Sequence, residues 1–555
     1  MTKRTAKIIA FSAVFISSFM FFYFPMQRRA FDWVYFDTLA LVIKSSVWTY
    51  GTLPLHNPWA CSGLSLLSNP QNWIFSPLVL LTLILPVTLG NVLSVILLKV
   101  LGFWGCIKYF SHLKVTPEIS FLGAALFVNS SWFSLHFTEG HIAFRTFYLL
   151  PWVFLWVESL DSRKAFLNLG AVFSLMILDG GIYPVIFSVV YFLFFFATSP
   201  DRIKVLFQFI KSNIGFCLSA VGVCILLTIP KIYPVMINSN AVREIQEHQL
   251  VSFPLLLHIF FDPFLSNDLV VQGYLRFHEY GNYLGISILG LILLSILSFK
   301  KMDPKLSRTL VLVGIFLWIA MGWGGEFNPY QLISSIPYIK KAHVHTRYLI
   351  VFTLLFISFI SMFASKMRFK KTAFLLLCLA NIEALVANYH SFAPVGSNYE
   401  LPLIKREYWL QTQKLVSQPE LYYQEGIISK YCYEPSRMNS KTKAYDENGY
   451  SGEASILLGD AKVGPLKLTP GEINFSYESS QGAEILLNTN YLDGWVETNN
   501  DAEPFDHQTL LAVRVPAGQG TIRLQYFPYY YTIIILSCVA GLMGLLFIRK
   551  KTYEL

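Results

Sequence analysis

The chain has 555 residues, of which 54% are hydrophobic, 16% aromatic and only 14% charged. That balance lies outside the range of soluble domains and marks an integral membrane protein. The formal net charge of +9 is therefore read by where Lys and Arg fall between apolar runs, and no nucleic-acid partner is expected. Seven cysteines are scattered without CxxC or Cys/His spacing, which argues against a disulfide framework or a zinc site.

The N-terminus, MTKRTAKIIAFSAVFISSFMFFYF, has a basic start, but its apolar run is too long for a signal peptide and lacks a small-residue cleavage site, so it reads as an uncleaved first span. A helix needs roughly 20 apolar residues to cross the hydrocarbon core. About twelve such runs follow one another, near residues 8–26, 89–110, 117–137, 144–160, 164–181, 183–198, 213–235, 282–298, 308–324, 346–365, 371–388 and 528–548. The run IFSPLVLLTLILP (74–86) is shorter, has prolines near both ends, and suits an interfacial or re-entrant helix. With twelve spans, the joints KYFSHLK, SRK, DRIKVLFQFIK, KKMDPKLSR, KMRFKK and the tail RKK share the side of the N-terminal TKR, which makes that side cytoplasmic.

The outer side then receives a first loop (27–88) and a soluble block (389–527). In its second half EINFSYES, AEILLNTNY, TLLAVRVPAG and GTIRLQYFP alternate in the manner of strands. The expected fold is a polytopic α-helical membrane protein with a C-terminal β-rich, sandwich-like extracytoplasmic domain. Its parts are a transmembrane module (1–388), the β-rich domain (389–527), and a final span with a basic cytoplasmic tail (528–555).

Ionisable groups beside a bilayer are costly, so their placement carries information. In QRRAFDWVYFDTLALVI, Asp32 and Asp37 are five residues apart and diverge on a helix, so at most one faces a cavity. Asp37 could point inward while Leu39, Val42 and Ile43 lie on the membrane surface; the competing reading is a capping or salt-bridged aspartate beside Arg28 and Arg29. The stretch YGTLPLHNPWACSGLSLLSNPQ is stiffened by prolines and Asn-Pro steps, and Asn57, Asn69 and Gln71 offer neutral hydrogen bonds suited to sugar hydroxyls. Arg145, Arg276 and the run Lys340, Lys341, His343, His345, Arg347 put cations on the outer side, where they need a carboxylate or an anionic ligand such as a lipid phosphate. Glu139, His141, Asp179, His278 and Glu279 complete the outer titratable set, and a divalent ion held by Asp37 with other outer carboxylates is conceivable, though no ligand spacing marks it.

The run from FDTLALVI through GTLPLHNPWACSGLSLLSNPQNWIFSPLVLLTLILP resembles the first outer loop of YfhO-type bacterial membrane proteins. The segments GHIAFRTFYLLPWVFLWVESL, HEYGNYLG, YLDGWVETN and VRVPAGQGTIRLQYFP resemble further elements of that family in the same order. His56 stands where the family carries an aromatic residue, and AHVHTRYL keeps the second of two arginines, at Arg347. YfhO-type proteins are similar to the GT-C class of glycosyltransferases, which take sugars from polyprenyl phosphates and carry a catalytic acid in the first outer loop. The resemblance implies an inverting transfer from an undecaprenyl-phosphate sugar to an envelope glycan or glycolipid at the outer face of the bacterial inner membrane. Asp37 would be the base, Arg347 and Arg145 phosphate contacts, Asn57 and Gln71 donor-site hydrogen bonders, with His345, His278 and Glu279 around the substrate. Two other classes remain open, a flippase or transporter of lipid-linked sugars and a non-catalytic scaffold.

Overall fold

The computed structural model describes residues 3–23, 31–237, 250–264, 270–272, 275–297, 302–322, 329–336, 344–392, 410–412, 427–430, 441–498 and 502–553. Arg28, Arg29, Lys340, Lys341, His343 and Cys432 lie outside them, as does the side chain of Arg276.

Among the described residues seven helices are long and apolar enough to cross a membrane. They are α1 (Lys3–Tyr23), α2 (Val87–His112), α3 (Ile214–Ile237), α4 (Pro304–Met321), α5 (Leu349–Lys366, entered through a 3₁₀ turn at His345–Tyr348), α6 (Lys370–Phe392) and α7 (Tyr531–Tyr553). The count rises to eight if Ile182–Ala197 and Pro200–Ser212, bent by 107°, form one span. Other apolar runs are broken into shorter pieces. Asn129 and Ser130 separate helices Pro117–Val128 and Ser131–Glu139. A 3₁₀ stretch Ile142–Leu149 precedes Leu150–Val157, and Ile286–Leu297 has 12 residues. Local signals fix some ends plainly. Asp303 caps α4 by accepting from the Leu306 amide at 2.8 Å, Pro304 follows at the first helical position, and Gly322 at φ +70° stops it.

The bundle has two chemically distinct ends. At one, Lys305 and Arg308 of α4 reach the buried Glu158, Lys366 pairs with Asp303, and Lys7 lies over the Phe121 ring. At the other, Phe21 near the end of α1 packs with Trp33, Phe137 and Phe392, and α6 leaves the bundle toward the C-terminal strands. The helix Phe31–Trp48 lies across this second end, with the Trp33 indole donating to Phe137 O at 2.7 Å and the Trp48 indole to Leu83 O at 3.0 Å.

Alternating apolar residues build two antiparallel sheets from β1 (Ala454–Gly459), β2 (Lys462–Val463), β3 (Lys467–Thr469), β4 (Glu472–Ser479), β5 (Ala483–Asn490), β6 (Trp495–Glu497), β7 (Glu503–His507), β8 (Leu510–Val515) and β9 (Gly518–Tyr526). One sheet runs β6-β9-β4-β2 with β3 also on β4; the other runs β7-β8-β5-β1. Ile473, Phe475, Ile522 and Leu524 of the first and Ile485, Leu487, Leu511 and Val513 of the second are buried, as strand alternation requires.

The Pro- and Asn-rich stretch 50–71 is the seat of this β domain. Its hairpin pairs His56–Asn57 with Leu64–Ser65 and turns through Cys61, Ser62 and Gly63, all at positive φ. The turn presents its carbonyls to the domain: Asn490 Nδ2 donates to Cys61 O at 2.6 Å and Gly63 O at 2.9 Å, while Thr489 Oγ1 donates to Ser62 O at 2.8 Å. A Cβ on Gly63 would lie 2.7 Å from Thr489 Oγ1, so only glycine admits this approach. The His56 ring, fully buried, packs 5.1 Å from Trp495 and 5.6 Å from Tyr526. Cys61 is disulfide-bonded, contrary to the expectation from cysteine spacing, whereas Cys106, Cys217, Cys224, Cys378 and Cys538 are free. Spacing detects local zinc and redox motifs and is blind to a bridge that ties separated parts of a chain.

Candidate active site

At the β-domain end, four chain segments bring their titratable residues together. Asp32 begins the helix Phe31–Trp48, and His136 and Glu139 end the helix Ser131–Glu139. Gly140, left-handed at φ +96°, turns the chain so that His141 folds back beside His136. The short helix Phe277–Tyr280 supplies His278 and Glu279, and the 3₁₀ turn before α5 supplies Arg347.

The contacts form a chain. Asp32 Oδ2 lies 3.0 Å from His141 Nε2, and His141 Nδ1 lies 2.9 Å from His136 Nδ1. His278 Nε2 is 3.6 Å from Glu279 Oε1, while its Nδ1 faces Glu139 Oε1 at 4.0 Å. Arg347 clamps both oxygens of Glu279, with Nε to Oε2 at 2.7 Å, and its guanidinium stacks over Phe144 at 5.1 Å and Tyr183 at 4.9 Å. Thr346 Oγ1 donates to the Glu279 backbone carbonyl at 2.6 Å and fixes the helix carrying that carboxylate. The side chains keep some access to solvent: Asp32 is 18% exposed, His141 13%, His278 16% and Glu139 20%.

Environment sets the charge states. Burial pushes the His278 imidazole down to about 4 despite the adjacent Glu279. Burial alone would raise the Glu279 carboxyl, but the Arg347 fork outweighs it and holds that group well below the usual carboxylate range. His141, His278 and Glu279 each place a ligand atom within 4.8 Å of the others, which is within reach of a shared metal ion.

Asp37 sits apart from this cluster. It is fully buried and accepts from Thr88 Oγ1 at 2.8 Å and Asn91 Nδ2 at 2.7 Å. The network continues through Ser94, which donates to Asn91 O at 2.6 Å, to Arg145 NH1, 2.6 Å from Ser94 Oγ. Arg145 is itself fully buried, forked onto Asp179 at 2.7 and 2.8 Å and stacked 4.9 Å over Trp73. Asn57 and Gln71 belong to the β-domain seat: Asn57 Oδ1 accepts from the Trp59 amide at 3.0 Å, and Gln71 N donates to Asn69 Oδ1 at 2.9 Å. His345 Nδ1 lies 2.7 Å from Ala320 O at the end of α4, where it packs against Gly322. Of the expected set, then, Arg347, His278 and Glu279 meet in one place, while Asp37 and Arg145 share a second, sealed network. His136 was not anticipated; its signal is the His-x4-His spacing around a glycine in HFTEGH.

A second concavity, about 690 Å³, lies between the first sheet of the β domain and the turn Tyr50–Thr52. Glu472, Asn474, Arg523 and Gln525 line it, and three of them converge on the Glu472 carboxylate. Those bonds keep Glu472 below its ordinary range against the opposing effect of burial.

No protein-family model and no curated protein matches the chain. Among solved structures, the cryo-EM structure of the arabinofuranosyltransferase AftD from mycobacteria matches at 15% identity and a TM-score of 0.41 over 71% of this chain. The match spans 27% of the length of that structure.

Proposed function

We propose that the chain is an integral-membrane glycosyltransferase that moves a sugar from a polyprenyl-phosphate donor to an envelope glycan or glycolipid, inverting the anomeric centre. The observation that carries this reading is the half-open cluster of Asp32, His141, His278, Glu279 and Arg347 beside the β domain. Transfer to a hydroxyl requires a carboxylate to accept its proton and cationic or hydrogen-bonding groups for a departing phosphate. Asp32 is the better base than Asp37, because it is oriented by His141 and keeps access to solvent, whereas Asp37 is sealed between Thr88 and Asn91. In the proposed step, the acceptor oxygen bonds to the anomeric carbon while the bond from that carbon to the phosphate oxygen breaks. The acceptor proton passes to Asp32, and the electron pair leaves with the lipid phosphate toward His278 and Arg347. The 690 Å³ cleft, walled by the β domain at the far end of the helix Phe31–Trp48, about 24 Å along that helix from Asp32, is assigned to a remote part of an extended glycan acceptor and not to its reacting hydroxyl.

Support for an outward-facing site comes from two independent features. Lys305, Arg308 and Lys366 gather at the opposite end of the bundle, as the positive-inside rule expects of the cytoplasmic side. The disulfide at Cys61, in the loop that seats the β domain, belongs to an oxidising compartment.

One observation favours a transporter of lipid-linked sugars instead. Lys99, in the middle of α2, is buried and donates to Ser17 of α1 at 2.6 Å, a charged group at depth of the kind that lines transport paths. A reconstitution assay with a polyprenyl-phosphate sugar and a glycan acceptor separates the two. Transfer by wild type, lowered about 10²–10⁴-fold in Asp32→Asn while Asp37→Asn stays active once folded, is the expected result. Movement of the labelled lipid across the bilayer without glycan product overturns the transferase reading.

A further inference from the structure

We infer that His141, His278 and Glu279 form a binding site for a divalent transition-metal ion of the zinc class. The site is the one assigned to transfer, so the role of the ion rests on that reading, but its existence does not. Three donors already lie within 4.8 Å of one another, and Asp32 Oδ2, 3.0 Å from His141 Nε2, borders the set. Ligands about 2.0–2.1 Å from a tetrahedral zinc are separated by about 3.4 Å. The separation of 3.6 Å from His278 Nε2 to Glu279 Oε1 is close to that edge. Two imidazoles with a carboxylate suit zinc better than magnesium or calcium, which favour oxygen ligands throughout, and three protein ligands leave a fourth position open.

One of the two imidazoles, His141, follows the pattern of metal-binding histidines, in which the far nitrogen is held by a neighbouring group. His141 Nδ1 is held by His136 at 2.9 Å, which aims Nε2 into the cluster. His278 Nδ1 faces Glu139 at 4.0 Å without a hydrogen bond of its own, leaving Nε2 on the Glu279 side. The Arg347 fork does not exhaust Glu279, because an ionised carboxylate accepts at about four lone-pair positions and the fork takes two. Placed there, with His278 as its ligand, the ion would face the same departing phosphate as Arg347.

The test is zinc stoichiometry on the full-length protein in nanodiscs, stripped with chelator, reloaded with zinc chloride and washed, then read by mass spectrometry of the metal. One zinc per chain is expected in wild type and in His258→Ala, a control half exposed to solvent. At least tenfold less is expected in His141→Ala/His278→Ala. Because a double substitution can unfold the chain, cobalt loaded into wild type gives a second readout, the intense visible bands of a four-coordinate ion. Zinc retained equally by the double variant, or cobalt spectra of a six-coordinate aqueous type, shows an adventitious ion only and overturns the site. Zinc bound with no glycan transfer supports the site while sinking the transferase reading; transfer at the wild-type rate by chelated, zinc-free protein overturns the ion's role in transfer, and the stoichiometry alone decides the site.

Discussion

His56 gives the sharpest quantitative test of how the β domain is held. Its ring is fully buried against Trp495 and Tyr526, and neither ring nitrogen has a hydrogen-bond partner. Burial pushes its pKa down to about 3. The unfolded or undocked chain regains a value near 6.5, so below that pH it binds a proton that the docked state refuses. Stability from this group is therefore complete above about pH 6.5 and declines as the pH falls toward 3, by about 1.4 kcal/mol per unit. At pH 5 the loss reaches about 2 kcal/mol. Phenylalanine fills nearly the same shape without a protonation site. His56→Phe should leave docking unchanged or up to about 2 kcal/mol tighter at pH 7.5, since an unpaired buried polar group costs about 1–3 kcal/mol. It should also flatten the acid slope. Hydrogen exchange at the amide of Asn490, which donates to Ser62 O at 2.9 Å, reports the docked state directly. An equal loss of protection between pH 7.5 and 5 in wild type and variant would refute the reasoning.

Three further outcomes follow from the same geometry. Glu279→Gln strands the buried Arg347 guanidinium and should cost about 3–5 kcal/mol in thermal unfolding, whereas Glu279→Gln/Arg347→Gln should recover part of that loss; additive single effects would show that the pair is not coupled. Reducing the disulfide at Cys61 should destabilise wild type by about 2–4 kcal/mol and leave Cys61→Ser indifferent to reductant, read as melting temperature with and without dithiothreitol. Arg523→Ala/Gln525→Ala, which opens the 690 Å³ cleft, should raise KM for the glycan acceptor about tenfold with kcat retained; an unchanged KM removes the acceptor from that cleft.

Hydropathy made the helical bundle and strand alternation made the β-rich region legible, because each reflects a single period repeated along the chain. EINFSYES, for example, lies almost residue for residue on β4. The breaks inside apolar runs were not legible. The chain from 117 to 137 reads as one span by composition, yet Asn129 and Ser130 divide it, with the Asn129 carbonyl accepting from Asn388 of α6 at 2.9 Å. Such a break is stabilised by a partner distant in sequence, which no local window contains. Asp32 poses the same problem. Its position next to Arg28 and Arg29 suggested a surface ion pair, and its place in the cluster depends on His141 and His278, brought by two other segments. The family resemblance points to Asp37 as the base, and nothing in its own sequence neighbourhood shows that Thr88 and Asn91 enclose its carboxylate.

The two arginine forks separate scaffold from site. Arg145 with Asp179 and Arg347 with Glu279 are built alike, each bidentate to a carboxylate and each stacked on aromatic faces. Their surroundings differ. Arg145 and Asp179 are fully buried, and the third guanidinium nitrogen of Arg145 is taken by Ser94, so this pair locks the start of α2 to the Ile142–Leu149 turn. An ion pair so enclosed recovers little more than its own desolvation, and its value is geometric, because removing either partner strands a charge. Arg347 and Glu279 sit 8% and 5% exposed, beside Asp32, Glu139, His141 and His278, which are partly exposed. There the pair is neutral overall but holds an oriented guanidinium at the edge of the cluster, the position that the proposed transfer asks of a group facing a departing anion. The difference between the forks is thus access, a property of the assembled end of the bundle that neither arginine carries in its own sequence neighbourhood.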